Sequence, residues 1–312
     1  MRNRTVNELM TVQDEDTYAP EGAWDGDVAH RGRILVGVDP SPHAVRAVVW
    51  AAREAADRGL PLHLVNALNL PSHGHGVLIP EDYVAAGRAA SKLLLDQLAE
   101  EVRRREPELR VTTETSDVGA AETLVALGGR GDLIVTGTRG HGGFAGLLLG
   151  SVSLKTAAHA YCPTIVVRGT TNDTPRNEIV LGAERNEDEA PIRFAFESCE
   201  HLGARLTVVR AWLSAPSYAG HYLTHEPATD GEQLDDVEKL VATVREDHPD
   251  VPVKLQTVRG NAVPCLIDAA RAARMVVIGA HRRRAPLSVG AGYVVQGLLS
   301  HAETPVAVVP IT

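Results

Sequence analysis

The chain has 312 residues, 44% of them hydrophobic and 23% charged, and its 40 acidic against 31 basic side chains leave a formal net charge of −9. That balance is ordinary for a globular protein and argues against general nucleic-acid affinity, which needs cations to displace the counterions of phosphates. No apolar run is long enough to span a bilayer, the start Met1-Arg-Asn-Arg-Thr lacks the apolar core of a secretory signal, and Cys162, Cys199 and Cys265 fall in no metal or redox spacing, so a cytoplasmic chain with reduced thiols and no membrane partner is expected.

Residues 1–30 carry Asp14-Glu-Asp16 and Ala23-Trp-Asp-Gly26 with little periodicity and read as a mobile leader. From residue 31 onward, short Val/Ile/Leu runs alternate with helix-like stretches. Strand 33–38 precedes a helix at 42–58, strand 62–67 precedes a helix at 81–105, and strand 110–114 leads into a short helix after Gly119. Strand 133–136, Leu-Ile-Val-Thr, is bounded by turn residues and followed by a helix at 151–160 and a last strand at 164–168. Such alternation implies parallel pairing through right-handed crossovers, hence an open α/β sheet. Gly169-Thr-Thr-Asn-Asp-Thr-Pro175 reads as a linker, with boundaries at 169–177.

Beyond the linker the pattern repeats. Gly-Ser-Val-Ser-Leu-Lys-Thr-Ala-Ala-His-Ala-Tyr-Cys-Pro-Thr-Ile-Val-Val begins at Gly150, and Gly-Tyr-Val-Val-Gln-Gly-Leu-Leu-Ser-His-Ala-Glu-Thr-Pro-Val-Ala-Val-Val begins at Gly292, an offset of 142 (292 less 150). Arg33-Ile-Leu-Val-Gly-Val-Asp39 likewise matches Glu178-Ile-Val-Leu-Gly-Ala-Glu184, and Leu62-His-Leu-Val65 matches Leu206-Thr-Val-Val209. A period this long marks a duplicated domain rather than a solenoid. The expected units are 31–168 and 178–312, each of a size that holds its own core.

The motif with chemical content is Gly137-Thr-Arg-Gly140, nine residues, then Gly150-Ser151. Glycines at a strand exit let backbone N–H groups approach an anion. A Gly-Ser pair opening a helix adds a hydroxyl and unpaired amides, a natural phosphate seat. Asp39 leaves the first strand into Asp-Pro-Ser-Pro, a sequence that also suits a helix cap. The motif lacks the lysine of a Walker-type P-loop, and nothing in the spacing singles out a base to activate water, so the residues favour binding over turnover.

This G-x2-G-x9-G-[ST] pattern resembles the nucleotide-binding signature of the ATP-binding universal stress proteins. Arg33-Ile-Leu-Val-Gly-Val-Asp39 is similar to their opening strand and Cys162-Pro-Thr-Ile-Val-Val167 to their closing one. The resemblance implies two tandem five-stranded, mainly parallel sheets of order 3-2-1-4-5 with helices on both faces. That order sets Asp39 and Gly137 side by side at a topological switch point, where such sheets bind ligands. It implies an adenine nucleotide, ATP with or without Mg2+, as cofactor. Asp39 would contact the ribose or adenine side, Leu64 and Val65 would offer main chain and apolar surface to adenine, and Gly137 and Gly140 would approach ribose and phosphates. Thr138, Arg139 and His141 would line the same loop, with Gly150, Ser151, Val152 and Ser153 at the phosphates. Arg139 and Lys155 read equally well as phosphate contacts or as solvated cations.

The second copy is altered where the first is intact. Asp39 becomes Glu184, Gly140 becomes Arg282 and Ser151 becomes Tyr293, while Gly279 and Gly292 persist. This crevice is expected to bind ATP poorly, Arg282-Arg-Arg284 reading as a solvated basic loop and 213–230 as a mobile lid. His221 and His225, like His73 and His75, lack zinc-like spacing. The family's dimer through last strands becomes, in a tandem chain, an intramolecular pseudo-dimer of strands 164–167 and 306–309, with further homodimerisation open. The resemblance therefore implies a nucleotide-dependent regulator in stress or dormancy adaptation that acts on a protein partner. A slow ATPase or nucleotidyl or phosphoryl transferase, and a nucleotide-independent scaffold, are the alternatives.

Overall fold

A computed structural model describes residues 32–70, 80–129, 131–140, 149–169, 177–184, 189–213, 230–281 and 292–311. The leader, the linker, most of the 213–230 segment, His141 and Arg282 lie outside the described residues. The first half runs β1 (Ile34–Gly37), α1 (Pro42–Arg58), β2 (Leu62–Ala67), α2 (Glu81–Arg105), β3 (Val111–Ser116), α3 (Ala120–Leu127), β4 (Leu133–Gly137), α4 (Ser151–His159) and β5 (Thr164–Val167). The second runs β6 (Glu178–Gly182), α5 (Glu189–Leu202), β7 (Arg205–Trp212), α6 (Asp230–Asp247), β8 (Val253–Arg259), α7 (Ala262–Ala270), β9 (Met275–His281), α8 (Tyr293–His301) and β10 (Val306–Ile311).

Both halves have the order expected, and the expected pairing of their closing strands joins them into one sheet. One ten-stranded sheet runs β3-β2-β1-β4-β5-β10-β9-β6-β7-β8. Every neighbouring pair is parallel except β5 with β10, where Val306, Ala307 and Val308 face Val166, Ile165 and Thr164 antiparallel. Joining the two closing strands removes an apolar edge that each half alone would expose. It also turns the halves head to tail, so the carboxyl ends of their strands open at opposite ends of the sheet.

Local sequence explains the elements that matter for the crevice. α1 begins because Ser41 accepts a hydrogen bond from the Ala44 amide at 3.2 Å and Pro42 supplies a ready-made helical φ, and it ends at Gly59 in the left-handed region at φ 65°. Ala44, Ala47, Ala51, Ala52 and Ala55 form its buried stripe, which lets the helix lie close on β1 and β4. One apolar core under α1, α2, α5 and α6 is continuous across both halves, including Ile165 of β5 and Ala307 of β10. On the opposite face α3 and α7 sit in the same way. The absent Cβ of Gly37 would lie 2.8 Å from Leu124, and that of Gly182 would lie 2.9 Å from Leu266.

An ionic network also crosses between the halves. Glu54, wholly buried, pairs with Arg58 at 2.7 Å, and Arg58 donates to Ser198 Oγ of α5 at 2.9 Å while its guanidinium lies over the Phe194 ring. From the start of β9, Arg274 donates to Glu54 at 3.3 Å and to Asp57 at 2.9 Å. Removing one member of a buried pair strands the other charge, which costs about 3–5 kcal/mol. Glu54→Ala is therefore expected to lower the unfolding free energy by about that much, read as a fall in urea midpoint with the slope unchanged. A loss below about 1 kcal/mol would mean that Arg58 finds solvent and that the network does not hold the halves together.

Candidate functional site

The carboxyl ends of β1 and β4 are adjacent, and the chain leaves them in opposite directions, β1 into α1 and β4 toward α4. α1 packs on one face of the sheet and α4 on the other. The crevice between them is the topological switch point of the first half.

Asp39 stands at its centre. One carboxylate oxygen accepts from the Ser41 amide at 3.0 Å, fixing the turn into α1, while the other faces Gly140, whose absent Cβ would lie 2.6 Å from it. A side chain at position 140 would push the carboxylate aside. Gly150 has a matching constraint: its absent Cβ would lie 3.2 Å from Thr138 O and 3.3 Å from Arg139 Cα. Its amide donates to Thr138 O at 2.7 Å, which holds the start of α4 against the exit of β4. α4 starts there with no side chain among the described residues capping its first amides, and Ser151 is exposed at its first position. Uncapped amides, a helix dipole and a nearby carboxylate are a donor set that suits a phosphorylated, hydroxyl-bearing ligand.

Other expected residues have structural employment. Gly137 makes room for α1, since its Cβ would meet His43 O at 2.7 Å, and its own carbonyl accepts from the buried Ser153 hydroxyl at 2.6 Å. Thr138 is buried, with Oγ1 3.1 Å from His43 Nδ1. The Arg139 carbonyl accepts from Ser41 Oγ at 3.4 Å. Val152 packs on the cluster of Leu35, Val65 and Leu124. Lys155 lies 3.7 Å from Glu122.

Leu64 and Val65 sit inside the sheet, with β1 on one side and β3 on the other. Val65 O accepts from Val38 N at 2.8 Å, and both side chains are buried in opposite cores. Their main-chain groups are committed to the ladder, so the exit of β2 is the part of that strand that reaches the crevice. There Asn66 donates from Nδ2 to Val38 O at 2.7 Å, holding the two strand exits together.

Sequence reasoning passed over His43, Arg46 and Arg168. His43 is four residues beyond Asp39 and Arg46 one turn further, a spacing that puts both near the strand exits. Arg46 Nη2 lies 2.6 Å from His43 Nδ1. A guanidinium only donates, so Nδ1 is an acceptor and the ring proton sits on Nε2. No cluster of three or more His, Cys, Asp or Glu suited to a metal occurs among the described residues, and no helix among them is long and apolar enough to cross a membrane. Burial holds the Cys199 thiol up to about 12 and pushes the Cys162 thiol higher still, so neither is a nucleophile at neutral pH.

The sequence profile of the Universal stress protein family matches residues 30–168 and again 176–310. The chain belongs to that family. A universal stress protein of Mycobacterium tuberculosis strain H37Rv is 28% identical over 285 residues, covering 88% of this chain and 95% of the relative. One of Mycolicibacterium smegmatis is 29% identical over 289 residues, covering 88% and 96%. Among solved structures, a universal stress protein from Archaeoglobus fulgidus superposes with a TM-score of 0.70 over 90% of this chain and 99% of that one at 12% identity, which establishes the shared fold.

Burial first, then the charges of Arg46, Arg139 and Arg168, hold the His43 imidazole below its ordinary 6.5, against the opposing pull of Asp39. The folded chain then takes up this proton less readily than the unfolded chain does. The contribution to stability is complete above 6.5 and is lost as the pH falls below it. His43→Asn keeps an acceptor for Arg46 but cannot titrate. Wild type minus variant unfolding free energy should be flat above about pH 7 and decline below 6.5, and a difference independent of pH would contradict this assignment.

Proposed function

We propose that the first half binds one adenine nucleotide, ATP in the working state, at the switch point between β1 and β4, and that nucleotide occupancy sets what the chain presents to a protein partner. Family membership supports a role in stress adaptation. The observation that carries the nucleotide reading is the meeting of Asp39, Gly140 and Gly150. The carboxylate lies against a glycine that leaves it room, and the second glycine brings the uncapped start of α4 to the same place.

In this reading the amides of Ser151, Val152 and Ser153 receive a phosphate, helped by the α4 dipole and the Ser151 hydroxyl. Asp39, held by the Ser41 amide, accepts from a ribose hydroxyl. Gly137, Thr138, Arg139 and Gly140 line the β4 exit beside the ribose and phosphates, and the adenine lies toward the exit of β2 rather than against Leu64 and Val65. Bound nucleotide supplies several negative charges at one end and an apolar base at the other. No lysine of a Walker motif is present, so release by hydrolysis is not required of the site.

The second half keeps Gly292 at the start of α8 but follows it with Tyr293, 70% exposed, and replaces Asp39 by the exposed Glu184. Placing the second half's residues in the first tests the reading. In Gly140→Arg/Ser151→Tyr, titration calorimetry is expected to lose ATP binding by at least about a hundredfold, with an unchanged circular dichroism spectrum. ATP binding that survives this exchange would refute it.

A further inference from the structure

The nucleotide reading draws on one side of the crevice, the α4 side. The other side, formed by α1 and the exit of β5, carries charge that this reading does not use. Arg46 reaches the neutral imidazole of His43 at 2.6 Å, and among the described residues it has no carboxylate within ion-pair distance. Arg168 leaves β5 and donates through Nη1 to the carbonyl of Ser300 and, at 3.5 Å, to that of Ala302, both at the carboxyl end of α8. That helix end carries partial negative charge and holds the arginine in place before any ligand arrives. Burial first and then the charge of Arg139 push the Arg168 pKa down, and Arg46, Arg139 and Arg168 all bear on His43. Three guanidiniums near the ends of α1, β4 and β5 thus each act on the His43 imidazole, as does the Asp39 carboxylate, and Arg139 also acts on Arg168.

Like charges gathered in a half-buried place repel. An anion with more than one charge relieves that repulsion. The first turn of α4 has the amides for one phosphate group, and any further phosphates must find their counter-charges elsewhere. Guanidiniums suit them, since each presents paired donors to phosphate oxygens. The His43 Nε2–H, fixed by the acceptor role of Nδ1, is one more donor.

We propose that His43, Arg46 and Arg168 form a cationic wall facing the α4 amides, and that this wall makes the first-half crevice select nucleoside di- and triphosphates over monophosphates. The assignment rests on the nucleotide reading of the site and adds the residues that read phosphate-chain length. The position 142 residues after Arg168 is Pro310, so the second half lacks this arginine.

Calorimetric titration of the full chain with ATP, ADP and AMP, at one salt and one Mg2+ concentration, tests it. Wild type is expected to bind ATP and ADP at least about tenfold more tightly than AMP. Arg46→Gln and Arg168→Gln should each weaken ATP about tenfold and leave AMP within about twofold. Arg46→Lys, which keeps the charge, should recover most of the ATP affinity. The His43→Asn chain, which retains an acceptor for Arg46, should lose less than either arginine variant. Equal weakening of ATP and AMP, or no change in either, would overturn the wall while leaving the nucleotide site standing. A wild-type chain that binds none of the three would overturn both.

Discussion

The antiparallel pairing of β5 with β10 sets the geometry of everything else in the molecule. Three residue pairs, Val306 with Val166, Ala307 with Ile165 and Val308 with Thr164, convert two parallel sheets into one. With those strands joined, the α1–α2 and α5–α6 layers share a core, and Glu54, Arg58 and Arg274 meet across the join. The same pairing points the two sets of strand exits in opposite directions. Each crevice therefore borders the reverse end of the other half, which is why Arg168, at the exit of β5, finds its acceptors on the last turn of α8.

Within the first crevice the glycines act by leaving space, and each leaves it to a different neighbour. Gly137 yields to the α1 backbone, Gly140 to the Asp39 carboxylate and Gly150 to the chain at 138–140. The three absences bring two helix starts and a carboxylate together without clash. The starts differ: α1 is capped by Ser41, whereas α4 begins at Gly150 with no side-chain cap. The seat of α4 is also more polar than that of its counterpart. Among the described residues, the buried hydroxyls of Thr136, Thr156 and Thr164 have no hydrogen-bond partner, while 142 positions later stand Ile278, Leu298 and Val306 in a dry core. Unpaired buried hydroxyls cost stability.

Much of the fold was legible because it rests on periodicity and repetition. The alternation of short apolar strands with helices, repeated at a constant offset, specifies two copies of one parallel sheet, and the glycine spacing locates the crevice. Strand boundaries moved by one or two residues, as with β3, which extends to Ser116 because its ladder with β2 continues to Ala67. Leu64 and Val65 carry no distinguishing signal in the sequence. An apolar pair on a central strand looks the same whether it borders a ligand or lies within the ladder, and only the pairing with β1 and β3 decides. His43, Arg46 and Arg168 went unnoticed because their significance depends on three elements far apart in sequence converging at one sheet end. A histidine in the first turn of an alanine-rich helix carries no such signal alone. The merging of the two sheets was implied only by family likeness, since strand composition cannot distinguish a covered edge from a paired one.

The two halves differ at their crevices: one holds Asp39, Gly140 and Ser151, and the other holds Glu184, Arg282 and Tyr293 at the corresponding positions. The most direct test is to denature freshly purified chain, identify the small molecules released by mass spectrometry and measure their molar ratio to protein, before and after saturation with ATP and desalting. One adenine nucleotide per chain is the predicted result. Two per chain would contradict the degenerate reading of the second half, and none, even after saturation, would contradict the assignment of the first.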